Sequence, residues 1–276
     1  MGILGTLMGW NSATSAYEKI KSIDGKLRAI TQGYLYAVAE GHIANHEVWS
    51  KSGVNLALSA SEEDMWSVGD TYVYPAAAQQ MEVVSSSTDD AAAGTGARTV
   101  TIRYLTAAFA EKSETVTLDG TTPVATTNTD IYRIQSFRIA TAGTGGAAAG
   151  NIDIRNLADT PIYSRIAIGE ARAKDIVYTV PANKVLYITE ATFSVGASTS
   201  GRSTHFITKA KYDNASGVAL DFFMDYTDVF VQDSQIQIFF QAPTRFPAGT
   251  DIKVSAISPD GMTYGAVSLK GWLESA

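Results

Sequence analysis

The sequence contains no cysteine. Disulfide bridges and thiolate metal sites are therefore excluded. Charge is also sparse: 18% of the residues are Asp, Glu, Lys or Arg, against the roughly 25% usual in soluble domains. No run of Lys or Arg forms a basic stripe, and the net charge is -7. Nucleic acid is not an expected partner on electrostatic grounds. No stretch approaches the roughly 18 consecutive apolar residues of a membrane-crossing helix, so a membrane is not expected as a partner. The apolar start, Met1 to Trp10, has no basic leader and no small-residue cleavage site, and so does not read as a secretion signal.

What is present is small and apolar. Hydrophobic residues make up 45% of 276, enough core for one large or two ordinary domains. Ala, Thr, Ser and Gly replace the missing charge. That mix suits strands joined by small-residue loops, and surfaces that meet other protein. Residues 1–11 read either as a flexible start or as an arm that docks on a partner through Ile3, Leu4, Leu7, Met8 and Trp10.

Residues 12–38 carry a helical pattern. Ala13, Ala16, Ile20, Ile23, Leu27, Ile30, Tyr34 and Ala37 are spaced alternately by three and four, as in a heptad. Ser12 is placed as an N-cap, and Gly25 and Gly33 weaken the helix. Two readings stay open. The helix lies on its own β domain, or Ile20, Ile23, Leu27, Ile30 and Tyr34 form the seam of an intersubunit bundle. Isoleucine at both core positions favours trimers or higher oligomers over dimers. Residues 39–70 read as a connector punctuated by Gly41, Gly53 and Gly69. Trp49 and Trp66 within it are packing anchors whose indole N–H groups need acceptors.

From about residue 71 the period changes to two. Val100, Ile102 and Tyr104 alternate with Thr99, Thr101 and Arg103, the pattern of a half-buried strand. Asp119-Gly120 signals a turn. Ala91–Gly96 and Ala140–Gly150 read as loops, the second as a linker. After about residue 160, Val185, Tyr187 and Thr189 alternate with Leu186 and Ile188, and similar runs surround Ile238 and Val254. A weak internal repeat links the two stretches. Tyr72-Val73-Tyr74-Pro75 precedes a strand through Val84, then a loop, then a strand from Arg98 to Tyr104. Tyr178-Thr179-Val180-Pro181 precedes a strand through Ile188, then a loop, then a strand from Arg202 to Tyr212. The expected fold is mainly β: two β-sandwich domains of jelly-roll or immunoglobulin-like type over 71–158 and 159–276, preceded by the helix and arm.

Residues that could carry chemistry do not assemble into a known pattern. His42 and His46 are four apart, but Gly41 interrupts the helix a metal site would need, and the zinc-protease arrangement is not met. His205 reads as structural. No nucleophile elbow, phosphate loop or dinucleotide fingerprint occurs. The acidic clusters Glu62-Glu63-Asp64, Asp89-Asp90 and Asp221, Asp225, Asp228 read as solvated turns. The dense run Phe222-Phe223-Met224-Asp225-Tyr226 with Phe230 reads first as core, then as a contact surface or sugar-stacking patch. No catalytic, cofactor-binding or metal-binding residue is assigned, and no enzymatic activity is expected.

Two segments are distinctive: Glu82-Val83-Val84-Ser85-Ser86-Ser87-Thr88-Asp89-Asp90 continuing to Val100, and Glu114 to Val124. With Val177–Ala182, Pro247–Lys253 and Gly150-Asn151-Ile152, they resemble a family of structural proteins of tailed-bacteriophage virions. The resemblance covers roughly residues 40–276 and carries no catalytic residue. It implies a protein of the virion, assembled in the host cytoplasm. Its partners would be the major capsid protein or other virion proteins; the isoleucine seam, separately, points to a homo-oligomer, a trimer among the options. Within that class the expected role is a capsid decoration or cement protein. A tail, baseplate or fibre component contacting a host receptor is the first alternative. A carbohydrate-binding module or glycan-cleaving β protein is the second.

Overall fold

The computed structural model describes residues 8–11, 16–19, 34–197, 201–211, 224–259 and 263–275. The described chain is mainly β. None of its helices is long and apolar enough to cross a membrane. β1 (Met8–Asn11) and β2 (Ala16–Lys19) pair as an antiparallel ribbon with Trp10 opposite Tyr17. The helix expected from residue 12 is therefore a strand at Ala16–Lys19. Asn11, Ser12, Thr14 and Ser15 compete with a helix for backbone hydrogen bonds, and aromatic residues favour strands. Helix α1 spans Tyr34–Ala39. Ile20, Ile23, Leu27 and Ile30 lie outside the described residues, as do Ile3, Leu4 and Leu7 of the expected arm.

β3 (His46–Leu58) and β4 (Glu63–Asp64) come next. Then follow β5 (Met81–Ser85), β6 (Ala97–Leu105), β7 (Glu111–Thr117) and β8 (Val124–Ala125). β9 (Arg133–Ala142), β10 (Ile152–Asn156) and β11 (Ile162–Ile166) complete a first block. The second block holds β12 (Tyr178–Thr179), β13 (Lys184–Ala197), β14 (Ser203–Lys211) and β15 (Met224–Gln232). It ends with β16 (Gln235–Phe246), β17 (Asp251–Ile257) and β18 (Thr263–Ser275).

The two blocks share one connectivity. In the run β5 to β10, the first strand pairs with the fourth and sixth, and the second pairs with the third and fifth. The run β13 to β18 repeats this strand for strand. All these pairings are antiparallel. The weak sequence repeat has a structural counterpart, because it aligns β5 with β13 and β6 with β14. Each block then adds a strand beside its sixth: β11 on β10, and β3 on β18.

This last pairing moves two expected boundaries. β3 runs along β18 from Glu274 opposite His46 to Thr263 opposite Leu58, and β4 pairs with β17. Most of the stretch expected as a connector, 39–70, is thus built into the sheets of the second block. β11, expected in the second unit, belongs to the first. Gly53 made the stretch look like a linker. A Cβ there would lie 2.2 Å from the Met65 carbonyl oxygen, so glycine lets another segment cross tightly over β3.

Each block has its own apolar core, drawn from both of its sheets. Met81, Ile102, Phe137 and Ile152 belong to the first, and Leu186, Phe193, Phe206 and Val254 to the second. Full burial of such a side chain contributes about 1.5–3 kcal/mol. Trp49 and Trp66 are buried anchors as expected. Trp49 packs on Tyr178 at 5.0 Å, and the Trp66 indole N–H donates to the Asp70 carbonyl at 3.1 Å.

Two acidic clusters read as solvated turns are hubs instead. Asp90 is fully buried. Its carboxylate accepts from Ser85 Oγ at 2.6 Å and from the backbone N–H groups of Ala97, Ala149 and Gly150 at 2.7–2.9 Å. The two small-residue loops, the second of them expected as a loop or linker, close around it. A Cβ on Gly96 would lie 2.3 Å from Asp90 Oδ1. Asp64 is likewise buried, paired with Lys253 at 2.8 Å and accepting from Ser255 Oγ and the Tyr72 N–H. Replacing Asp90 by Ala leaves three N–H donors without an acceptor, at about 1–3 kcal/mol for each buried group left unsatisfied. D90A should therefore lower the urea midpoint sharply or prevent folding. D89A, at an exposed neighbour, should change stability by less than about 0.5 kcal/mol.

Candidate functional site

Where the blocks meet, one arginine is decisive. Arg133 opens β9, the fifth strand of its run; Asp251 opens β17, the fifth strand of the other. Arg133 Nε and Nη2 donate to the two Asp251 oxygens at 3.0 and 3.1 Å, and Nη1 donates to the Pro75 carbonyl at 3.1 Å. The guanidinium lies over the rings of Tyr132 and Tyr74, 3.9 and 4.8 Å from their centroids. Burial alone would lower the Arg133 pKa. The hydrogen bonds and charge of Asp251 outweigh it and hold the pKa above its usual value. Thr179 Oγ1 also donates to Asp251. Two residues on, the Gln135 side chain donates to the Thr179 carbonyl and accepts from its N–H, and Lys51 Nζ donates to the Gln135 carbonyl at 2.7 Å.

Beside this junction lies a cleft of about 790 Å³, with β3 and β18 on one side and β6, β7 and β9 on the other. Seven of its lining residues are Lys or Arg and three are Glu or Asp. The chain has no basic run in sequence. The fold gathers these cations from distant segments, which is why sequence reading missed them.

The cleft lysines are matched to acids. Lys51 meets Asp175 at 3.1 Å, Lys112 meets Asp130 at 2.7 Å and Lys270 meets Glu190 at 2.7 Å. Lys184 bridges Glu47 and Glu111, and these partners raise its pKa against the opposing effect of burial. The hydrogen bond from Lys112 lowers the pKa of Asp130, and that from Lys270 lowers the pKa of Glu190. Arg103, Arg138 and Arg172 differ. All three are exposed, and among the described residues none of their side chains makes a hydrogen bond or ion pair.

The residues singled out from sequence are scattered. His42 sits beyond the helix, 3.7 Å from Glu40, while His46 starts β3 with Nδ1 2.7 Å from the Ala44 carbonyl oxygen. His205 stacks on Phe230 at 4.2 Å and meets Asp228 at 2.8 Å. Among the described residues no group of three or more His, Asp or Glu is placed to hold a metal. Phe230, read first as core, is 70% exposed. Tyr34, read either as part of a helix lying on its own β domain or as a seam residue, packs within its own chain against Trp272 at 4.7 Å. Of the expected arm, Met8 and Trp10 lie on β1.

Neither a family model nor a curated protein sequence matches the chain. Among solved structures it is similar to one of the infectious bursal disease virus Gx strain. That match has 11% identity over 84% of this chain and 76% of the other, with a TM-score of 0.19. It is also similar to the VP2 subviral particle of infectious bursal disease virus, at 10% identity over 84% and 81%, with a TM-score of 0.10. Likeness at this level carries no argument about fold or function.

Two outcomes are expected. D251N or R133M leaves one buried partner unmatched, which removes about 3–5 kcal/mol, whereas R133M with D251L restores much of it. A double-mutant cycle in urea measures the difference. The second outcome concerns pH. The carboxyls of Asp130 and Glu190 lie below their ordinary values of 3.8 and 4.5. Their contribution is complete above those values and is lost as pH falls through the lowered ones. The thermal midpoint should hold from about pH 7 to 5 and fall below about 4.5, with a smaller fall in K270M.

Proposed function

We propose that this protein is a non-catalytic structural component of a tailed-phage virion, acting as a decoration or cement protein on the head shell. Each pair of sheets in this reading is a β-sandwich, and the first is inserted between β4 and β12 of the second. The resemblance over residues 40–276 supports the class. The observation that carries the adhesive role is the free edge of the second block. β15 and β16 are consecutive strands, and each is the outermost strand of its sheet among the described residues. β16 is twelve residues long and mostly exposed. Phe230 on β15 is 70% exposed, and Ile236 and Phe239 on β16 are 40% and 67% exposed. A long free edge with apolar side chains is a template for another chain. A neighbouring subunit that pairs with it would hide both the backbone groups and the rings. Repetition of such contacts around a shell adds avidity beyond the single interface.

A second reading, a tail-associated protein that contacts a host receptor, is favoured by the cationic cleft. Mass spectrometry of separated heads and tails distinguishes the two. The adhesive edge is tested by F239D. Phe239 is exposed, so the variant should keep the wild-type circular dichroism and melting temperature. Its occupancy on purified particles should fall at least about tenfold, because a charge would have to be buried in an apolar contact. Full occupancy of F239D on particles would contradict the role given to this edge.

A further inference from the structure

We propose that the cleft between the blocks binds an acidic oligosaccharide through Arg103, Arg138 and Arg172. This inference is independent of where the protein sits in a particle. Strand register places the three arginines together. Ile102 lies opposite Phe137, and both are buried in the first core. The flanking pairs, Arg103 with Ser136 and Thr101 with Arg138, therefore face outward together. Arg138 is in turn opposite Arg172 across an isolated antiparallel bridge. Directly opposed residues have Cβ atoms about 4.5–5.5 Å apart, and diagonal neighbours are about 7–8 Å apart. Like charges at that spacing oppose folding. The cleft lysines are each neutralised by a carboxylate, yet no acid is supplied for these three forks.

The rest of the lining indicates what would fill the gap. A guanidinium fork matches carboxylate or sulfate oxygens two at a time. Ser50, Ser52, Ser113, Ser136 and Ser268 supply hydroxyls around it. The aromatic residues of the lining, Trp49, Tyr104 and Tyr178, are buried. They leave no free ring face for a nucleobase. A chain of hydroxylated rings bearing anionic groups satisfies both the hydroxyls and the forks. The volume lies within the range of small-ligand sites. The overall charge of -7 repels a long nucleic acid and leaves recognition to the local cleft.

Calorimetric titration of the whole protein tests this with four probes: oligoalginate, dextran sulfate oligomers, neutral dextran oligomers and polyglutamate. Oligoalginate or dextran sulfate should bind, and whichever binds tighter identifies carboxylate or sulfate as the recognised group. Neutral dextran should not bind. R138Q with R172Q should weaken binding at least about tenfold while the melting temperature holds or rises, since repulsion is relieved. R103Q serves as the second variant should the double one fail to fold. The proposal is overturned if neither acidic oligosaccharide binds, or if the variants bind as tightly as the parent. It is equally overturned if polyglutamate binds as well as the sugars.

Discussion

The ion pair between Arg133 and Asp251 holds the two halves of the molecule in one arrangement. It joins the first residues of equivalent strands, β9 and β17, in two runs of identical connectivity. A bidentate pair fixes angle as well as distance, and here both partners are buried. Breaking it exposes neither charge to water, so the junction tolerates little rotation. The rings of Tyr74 and Tyr132 and the hydroxyl of Thr179 complete the surroundings of the pair. Gln135 and Lys51 extend the junction toward β3. The walls of the cleft are therefore positioned by the buried pair beside it and by Gln135 and Lys51 within its lining.

Much of the strand pattern was legible in sequence, because period-two alternation marks a half-buried strand directly. Val100, Ile102 and Tyr104 are inward, and Thr101 and Arg103 outward, as the alternation implies. The repeat was legible too, through the strand–loop–strand spacing around Arg98 and Arg202. What escaped was long-range. β3 carries Trp49, Val54 and Leu58 without clean alternation, and its place beside β18 depends on a partner more than 200 residues away. Asp64 and Asp90 look like surface acids in sequence. Only the fold shows that three N–H donors converge on Asp90 and a lysine on Asp64. The cleft was illegible for the same reason: Arg103, Arg138 and Arg172 come from three segments. The heptad over 12–38 was misleading at Ala16–Lys19, since apolar spacing alone does not exclude a strand paired with Met8–Asn11.

The two features with most functional weight occupy different parts of the molecule. The β15–β16 edge of the second block is apolar and unpaired among the described residues. The cleft is polar and cationic, and it opens between β3 and β18 of the second block and β6, β7 and β9 of the first. An edge of that kind suits permanent attachment to protein, while a charged cleft suits reversible contact that weakens with salt. A virion protein anchored by one and presenting the other would both stabilise a particle and touch its surroundings. The repeated strand pattern serves both features: one copy carries the exposed β15–β16 edge, and apposition of the two copies creates the cleft.

The most direct test of the account is the density of this chain in a map of the intact particle. The account predicts many symmetry-related copies, each with β16 lying against a neighbouring protein and Phe239 covered. Particles that lack the chain, or a map in which β16 faces open solvent at every copy, would contradict it.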